Sequence, residues 1–154
     1  FVPVAGSETD YTLFGYQVPP PSVTSIAKSL VIRGIWIDAY SAGTLPITGS
    51  TVLQWSLGIG GTTASLAYTV NAVQDTSGSR TPRRLHLGTQ NLPGYFPPAS
   101  ASIGSVASRI DVNLDTPIFV DPASFCHVIL RMPVGFAATG PLIRGAVGIN
   151  GYFE

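Results

Sequence analysis

Leu53, Trp55, Leu57 and Ile59 alternate with Gln54, Ser56 and Gly58, a two-residue period that a strand can bury on one face and a helix cannot. Gly60-Gly61 interrupts the run, and Leu66, Tyr68, Val70 and Ala72 resume the alternation beyond it. The pattern predicts two consecutive antiparallel strands joined by a glycine-containing loop. Elsewhere the 17 glycines and 13 prolines are spread through all 154 residues. Glycine costs a helix backbone entropy and proline removes a donor, so this punctuation favours short strands and turns over long helices.

Residues 30–40 are apolar on both parities, with Val31, Ile35 and Ile37 on one and Leu30, Ile32 and Trp36 on the other, as expected of a strand covered on both faces, one cover being a neighbouring subunit. Residues 85–87, 110–114, 117–120, 125–132 and 143–153 give further strands. About eight short strands separated by turn signals predict an all-β, antiparallel β-sandwich of jelly-roll-like kind. No repeat of fixed period is present.

Three segments read as irregular. Residues 1–21 close on Pro19, Pro20 and Pro21, which favour an extended polyproline conformation and cannot join a central strand. This predicts an extended N-terminal arm ahead of a single sandwich domain over residues 22–154. Residues 74–84 read as a polar loop with a basic cluster, Arg80, Arg83 and Arg84. Residues 90–108 read as a second long loop carrying Tyr95 and Phe96 among prolines, an apolar anchor for an interface. The chain opens on Phe1 rather than Met, as a trimmed or partial chain does.

Charge is scarce. Only 10% of residues are charged against 45% hydrophobic, where an ordinary domain carries about 25% charged. Lys28 is the single lysine and Glu8 and Glu154 the only glutamates, so much of the surface must be Ser, Thr, Gly, Pro and apolar groups. Such a surface suits burial against neighbours. Eight acids balance eight bases, so no net field draws the chain to nucleic acid or to an anionic membrane. The apolar runs are broken well short of the ~20 residues of a membrane-spanning helix. One cysteine, Cys126, excludes a disulfide within the chain, leaving the core to hold the fold.

Catalytic readings find little to stand on. The acids are too scattered to nominate a glycosidase pair. Asp38, set among apolar strand residues, is the best candidate for a perturbed carboxylate, and its structural reading is an aspartate bonding loop backbone near a strand end. His86 and His127 lie in different strands without a second ligand at metal spacing. Cys126 and His127 are adjacent in a strand and so point to opposite faces, which separates thiol from imidazole and makes Cys126 a core thiol. Gly58-Ile59-Gly60-Gly61 lacks the lysine and helix of a phosphate loop. The reading is of a non-enzymatic chain with no catalytic residues, metal or cofactor.

The C-terminal stretch HVILRMPVGFAATGPLIRGAVGINGYFE, residues 127–154, resembles the closing strands of small bacteriophage virion proteins and, more loosely, those of trimeric jelly rolls of the tumour-necrosis-factor and complement type. That resemblance implies a capsid decoration, cement or head-fibre protein on the virion surface, assembled in the host cytoplasm. It implies partnership with copies of itself, as a homotrimer, and with other virion proteins such as a major capsid protein. Gly145, Gly148 and Gly151 would let another backbone approach, with Tyr152 and Phe153 as anchors, or would mark bulges in an edge strand. Pro19, Pro20, Pro21, Arg80, Arg83, Arg84, Tyr95, Phe96, Tyr152 and Phe153 are the expected interface residues. The competing reading is a carbohydrate-binding or receptor-binding sandwich in which Trp36, Trp55 or Tyr95 stacks on sugar rings. Both tryptophans fall in strands expected to be buried.

Overall fold

The computed structural model describes residues 9–23, 26–42, 51–61, 73–74, 83–92, 103–106, 109–132 and 142–154. Among them there is no helix, and nine strands follow in order: β1 (Thr9–Gln17), β2 (Leu30–Ala42), β3 (Thr51–Gly61), β4 (Val73–Gln74), β5 (Arg83–Leu92), β6 (Ile103–Val106), β7 (Ile110–Val120), β8 (Phe125–Met132) and β9 (Leu142–Phe153). All pairings between them are antiparallel. One sheet runs β4-β1-β8-β3-β5. The second is built on β2: Ile35 pairs with Val112 of β7 and with Ile149 of β9, which places those strands on opposite edges. β6 continues β7's edge, since Tyr40 pairs with Val106 on one side and Arg144 on the other. The chain is an all-β protein of two sheets, consistent with a sandwich.

The core lies between the sheets. Leu30, Ile32, Ile35, Ile37 and Ala39 of β2 meet Leu53, Trp55 and Leu57 of β3 and Cys126, Val128 and Leu130 of β8 in one buried cluster. Strict alternation would not put Leu30, Ile32, Ile35 and Ile37 on one face. A bulge does: Ile32 pairs with Gly151 and Gly34 with Asn150, so Arg33 is an extra residue that flips the parity of β2 at this point. On β7's side of the same position, Gly34 pairs with Asn113 and Ile32 with Ile118. Residues 114–117 therefore bulge opposite Arg33, and Pro117 sits where a strand tolerates a missing donor. What reads in sequence as two strands, 110–114 and 117–120, is the single β7.

A polar bridge crosses this apolar interior. The Trp55 indole N–H donates to Gln90 Oε1 at 2.7 Å, and Gln90 Nε2 donates to the Ile37 carbonyl at 3.4 Å. Gln90 thus ties β3 and β5 of one sheet to β2 of the other, and its burial is tolerable because both ends of the amide are used. The neighbouring Gly88 has φ of 148°, and a Cβ there would stand 3.3 Å from Ile110 Cδ1. It closes the β5 bulge in which Trp55 pairs with Gly88 and Ser56 with His86.

One sequence expectation changes and another is not described. β3 is flanked by β5 and by β8, and residues 66–72, expected as its hairpin partner, lie outside the described residues. Of the segment expected as an arm, Thr9–Gln17 is β1, hydrogen-bonded along β8. Its apolar alternation is concealed by the bulge between Thr12 and Phe14, which brings Tyr11, Phe14 and Tyr16 to the core despite their spacing.

Candidate interaction surfaces

The two outer faces differ. On the five-stranded sheet, Phe125, Cys126, His127, Val128, Ile129 and Leu130 are all buried, so β8 is enclosed on both sides. Cys126 belongs to the core, where burial pushes its thiol up to about 11, opposed by a hydrogen bond to its own backbone. His127 faces the other way and stacks on Phe125, with ring centroids 5.7 Å apart at 11°, so the thiol and imidazole diverge as the strand period requires. A hollow of about 190 Å³ lies among Gln54, Trp55, Ser56, His86 and Arg131, smaller than the roughly 300–1,000 Å³ of small-molecule pockets.

The outer face of the β2 sheet is open. Phe119 and Tyr152 flank Val31 across the ladder. Both rings are exposed, 58% and 44%, while Val31 between them is fully buried. The Arg33 guanidinium, projected by the bulge, lies 5.5 Å from the Tyr152 ring centroid, a cation–π contact. Further along β2, Trp36 is only half-buried. The Arg109 guanidinium covers its ring at 4.8 Å and pairs with Asp111 at 2.9 Å and Asp38 at 3.9 Å. These ions are about half exposed, so their pairing contributes little, at most about 1 kcal/mol. Trp36 thus departs from the expected burial. Asp38 is mid-strand rather than at a strand end, with Arg109 as its ionic partner.

The glycines of β9 are explained by neighbours in the same chain. A Cβ on Gly148 would overlap the Trp36 indole, one on Gly151 would overlap the Val31 carbonyl, and one on Gly145 would press on Leu13 Cδ1 at 3.3 Å. Gly151 also sits at the bulge.

The expected interface residues distribute as follows. Pro19, Pro20 and Pro21 are exposed just beyond Val18, which is buried and bonded through its backbone to Ser124 and Ala123. Tyr152 and Phe153 are exposed, and the Phe153 ring tilts against Tyr16 at 6.4 Å. Arg83 and Arg84 open β5, opposite Ile59 and Gly58, so they belong to a strand rather than a loop. Their side chains, like Arg80, Tyr95 and Phe96, lie outside the described residues. Sequence reasoning missed the Trp36–Arg109 pair, because the parity flip at Arg33 turns Trp36 outward, and it missed the exposed Phe119 of β7. It also missed Val23 and Ile26, which are almost entirely exposed.

Among the described residues no group of three His, Cys, Asp or Glu side chains could hold a metal ion, and no helix is long and apolar enough to cross a membrane. No family model, curated protein or solved structure matches the chain significantly.

Proposed function

We propose that the chain is a non-enzymatic structural building block of a virion, of the capsid decoration or cement kind, acting through contacts with copies of itself and with other virion proteins. The observation that carries this reading is the pair of exposed rings Phe119 and Tyr152 on the outer face of the β2 sheet, with Phe153, Val23 and Ile26 exposed elsewhere, on a chain with 10% charged residues. Large apolar groups left exposed favour a partner over water, each recovering on the order of 1–3 kcal/mol if fully covered. The low charge removes the solvation and repulsion that keep a surface free. The C-terminal resemblance to phage virion proteins points the same way. The test is co-sedimentation of the purified chain with candidate particles stripped of their surface proteins. Saturable binding at a fixed copy number supports the reading, and a soluble monomer that never pellets contradicts it.

A second reading, a carbohydrate-binding module, is favoured by the placement of Trp36, Phe119 and Tyr152 on one open sheet face, since aromatic planes there could stack on sugar rings. Its test is a glycan array followed by tryptophan fluorescence. Quenching lost in Trp36→Ala would favour it over the building-block reading.

A further inference from the structure

Among the described residues β9 is an edge strand, and its own sequence lacks the proline or lysine that usually protects one. Among the described residues it pairs only with β2, and residues 144–154 are exposed or half-buried throughout. Natural edges are blunted by proline, lysine or an inward charge. β9 has no proline and no lysine over its 12 residues, and the only charged groups are Arg144 near its start and Glu154 just past its end.

Those two charges sit where a second copy would need them. Glu154 exchanges both backbone hydrogen bonds with Ser29, so by the alternation of an antiparallel ladder the even-numbered residues of β9 turn their N–H and C=O groups toward β2. The odd-numbered ones, from Gly145 to Phe153, turn theirs toward the open edge. Two antiparallel copies of β9 centred on Ile149 would place Arg144 of each opposite Glu154 of the other. In that register Gly145 lies opposite Phe153, Ala146 opposite Tyr152, and Val147 opposite Gly151. Away from the axis, where Ile149 meets its own copy, each large side chain meets a small one, each charge meets its opposite, and paired residues share a face of the sheet. Cross-strand neighbours stand about 4.5–5.5 Å apart at Cβ, near enough for an aromatic ring to cover the glycine or alanine facing it. Roughly ten main-chain hydrogen bonds, two for each of the odd-numbered pairs, would close the edge.

We infer that β9 is a self-recognition edge through which two copies of this chain join their β2 sheets into one continuous sheet about a twofold axis at Ile149. The inference deepens the building-block reading and rests on it, naming the edge that one self-contact uses.

The register makes the test specific. Ala146 and Tyr152 would face each other in a non-hydrogen-bonded pair, with Cα atoms about 4.5 Å apart, inside the roughly 4.4–6.8 Å range of disulfides. Within one chain they are six residues apart on an extended strand and cannot bond to each other. The full chain carrying Ala146→Cys and Tyr152→Cys, treated with a thiol oxidant, is expected to give a covalent dimer on a non-reducing gel, whereas either single variant is not. In parallel, Arg144→Glu is expected to weaken self-association measured by sedimentation roughly tenfold, because two attractive pairs per dimer become repulsive. Adding Glu154→Arg restores it. Equal cross-linking by the single variants, none by the double variant, or a charge reversal without effect overturns the inference. An oligomer that fails to cross-link removes the β9 edge and leaves the building-block reading intact. A monomer that neither cross-links nor pellets with particles removes both.

Discussion

The two sheets divide the work differently. In the five-stranded sheet β8 is flanked by β1 and β3 and buried from Phe125 to Leu130 on both faces. In the other sheet β2 is flanked as completely, but its outer face carries exposed Phe119 and Tyr152 and a half-buried Trp36. The contrast is sharpest between the two tryptophans. Trp55 is fully buried and hydrogen-bonded to Gln90, whereas Trp36 faces outward beneath Arg109. Both sheets build the core, but among the described residues only the second carries exposed aromatic rings on its outer face.

The largest expected effect breaks the contrast at Trp55. Trp55→Ala should lose about 3–5 kcal/mol in denaturant unfolding, as large buried aromatics do when truncated, while Trp36→Ala should lose no more than about 1–2 kcal/mol. Comparable losses would erase the distinction between the sheets. Cys126 comes next. An unfolded thiol titrates near 8.5, whereas burial holds the folded one up to about 11. The unfolded chain releases its proton first, so this contribution to stability is intact below about pH 8.5 and is lost as pH rises toward the folded value. The loss amounts to about 2–3 kcal/mol. Subtracting the stability–pH curve of Cys126→Ala from that of the wild type should isolate this fall. A flat difference would mean the thiol is not enclosed as described.

Gln90→Leu sharpens the comparison where the sheets are joined. It leaves the Trp55 N–H without its acceptor, and a loss of about 1–3 kcal/mol is expected, with earlier hydrogen exchange at both Trp55 and Ile37. Exchange that changes in β3 alone would show that the bridge does not couple the sheets. The smallest effect concerns the turn into β8. Ala123 has φ of 65° after Pro122, with Ser124 N–H bonded to the Asp121 carbonyl at 3.1 Å, a type II arrangement that favours glycine at that position. Ala123→Gly should raise stability by about 0.5–1 kcal/mol, visible as a higher Tm. A decrease would contradict the turn geometry.

Much of the fold is legible in the sequence where strands are regular. The alternation of Leu53, Trp55 and Leu57 marks their shared face, and β8 is delimited as residues 125–132 by its apolar run and flanking turn residues. The misreadings occur at bulges, because one inserted residue reverses the parity on which pattern reading depends. Arg33 hides the true inward set of β2 and the exposure of Trp36, and the bulge between Thr12 and Phe14 disguises β1 as an arm. Gln90 was invisible for another reason, since a polar residue next to a Pro-Gly segment reads as loop until its tryptophan partner is placed. Of the candidate contact residues, Tyr152 and Phe153 were legible as large apolar groups at a strand's end. Phe119 was not, because residues 117–120 read as one short apolar run, although Ile118 and Val120 face the core and Phe119 faces outward.

The proposal that this chain acts through contacts made by the open β2 sheet and its β9 edge stands or falls on sedimentation equilibrium over a wide concentration range, on the wild type and on Tyr152→Ser/Phe153→Ser. Reversible self-association is expected in the wild type, strongly weakened in the variant while its unfolding midpoint moves little. A wild type that stays monomeric throughout, or a variant that associates equally well, would contradict it.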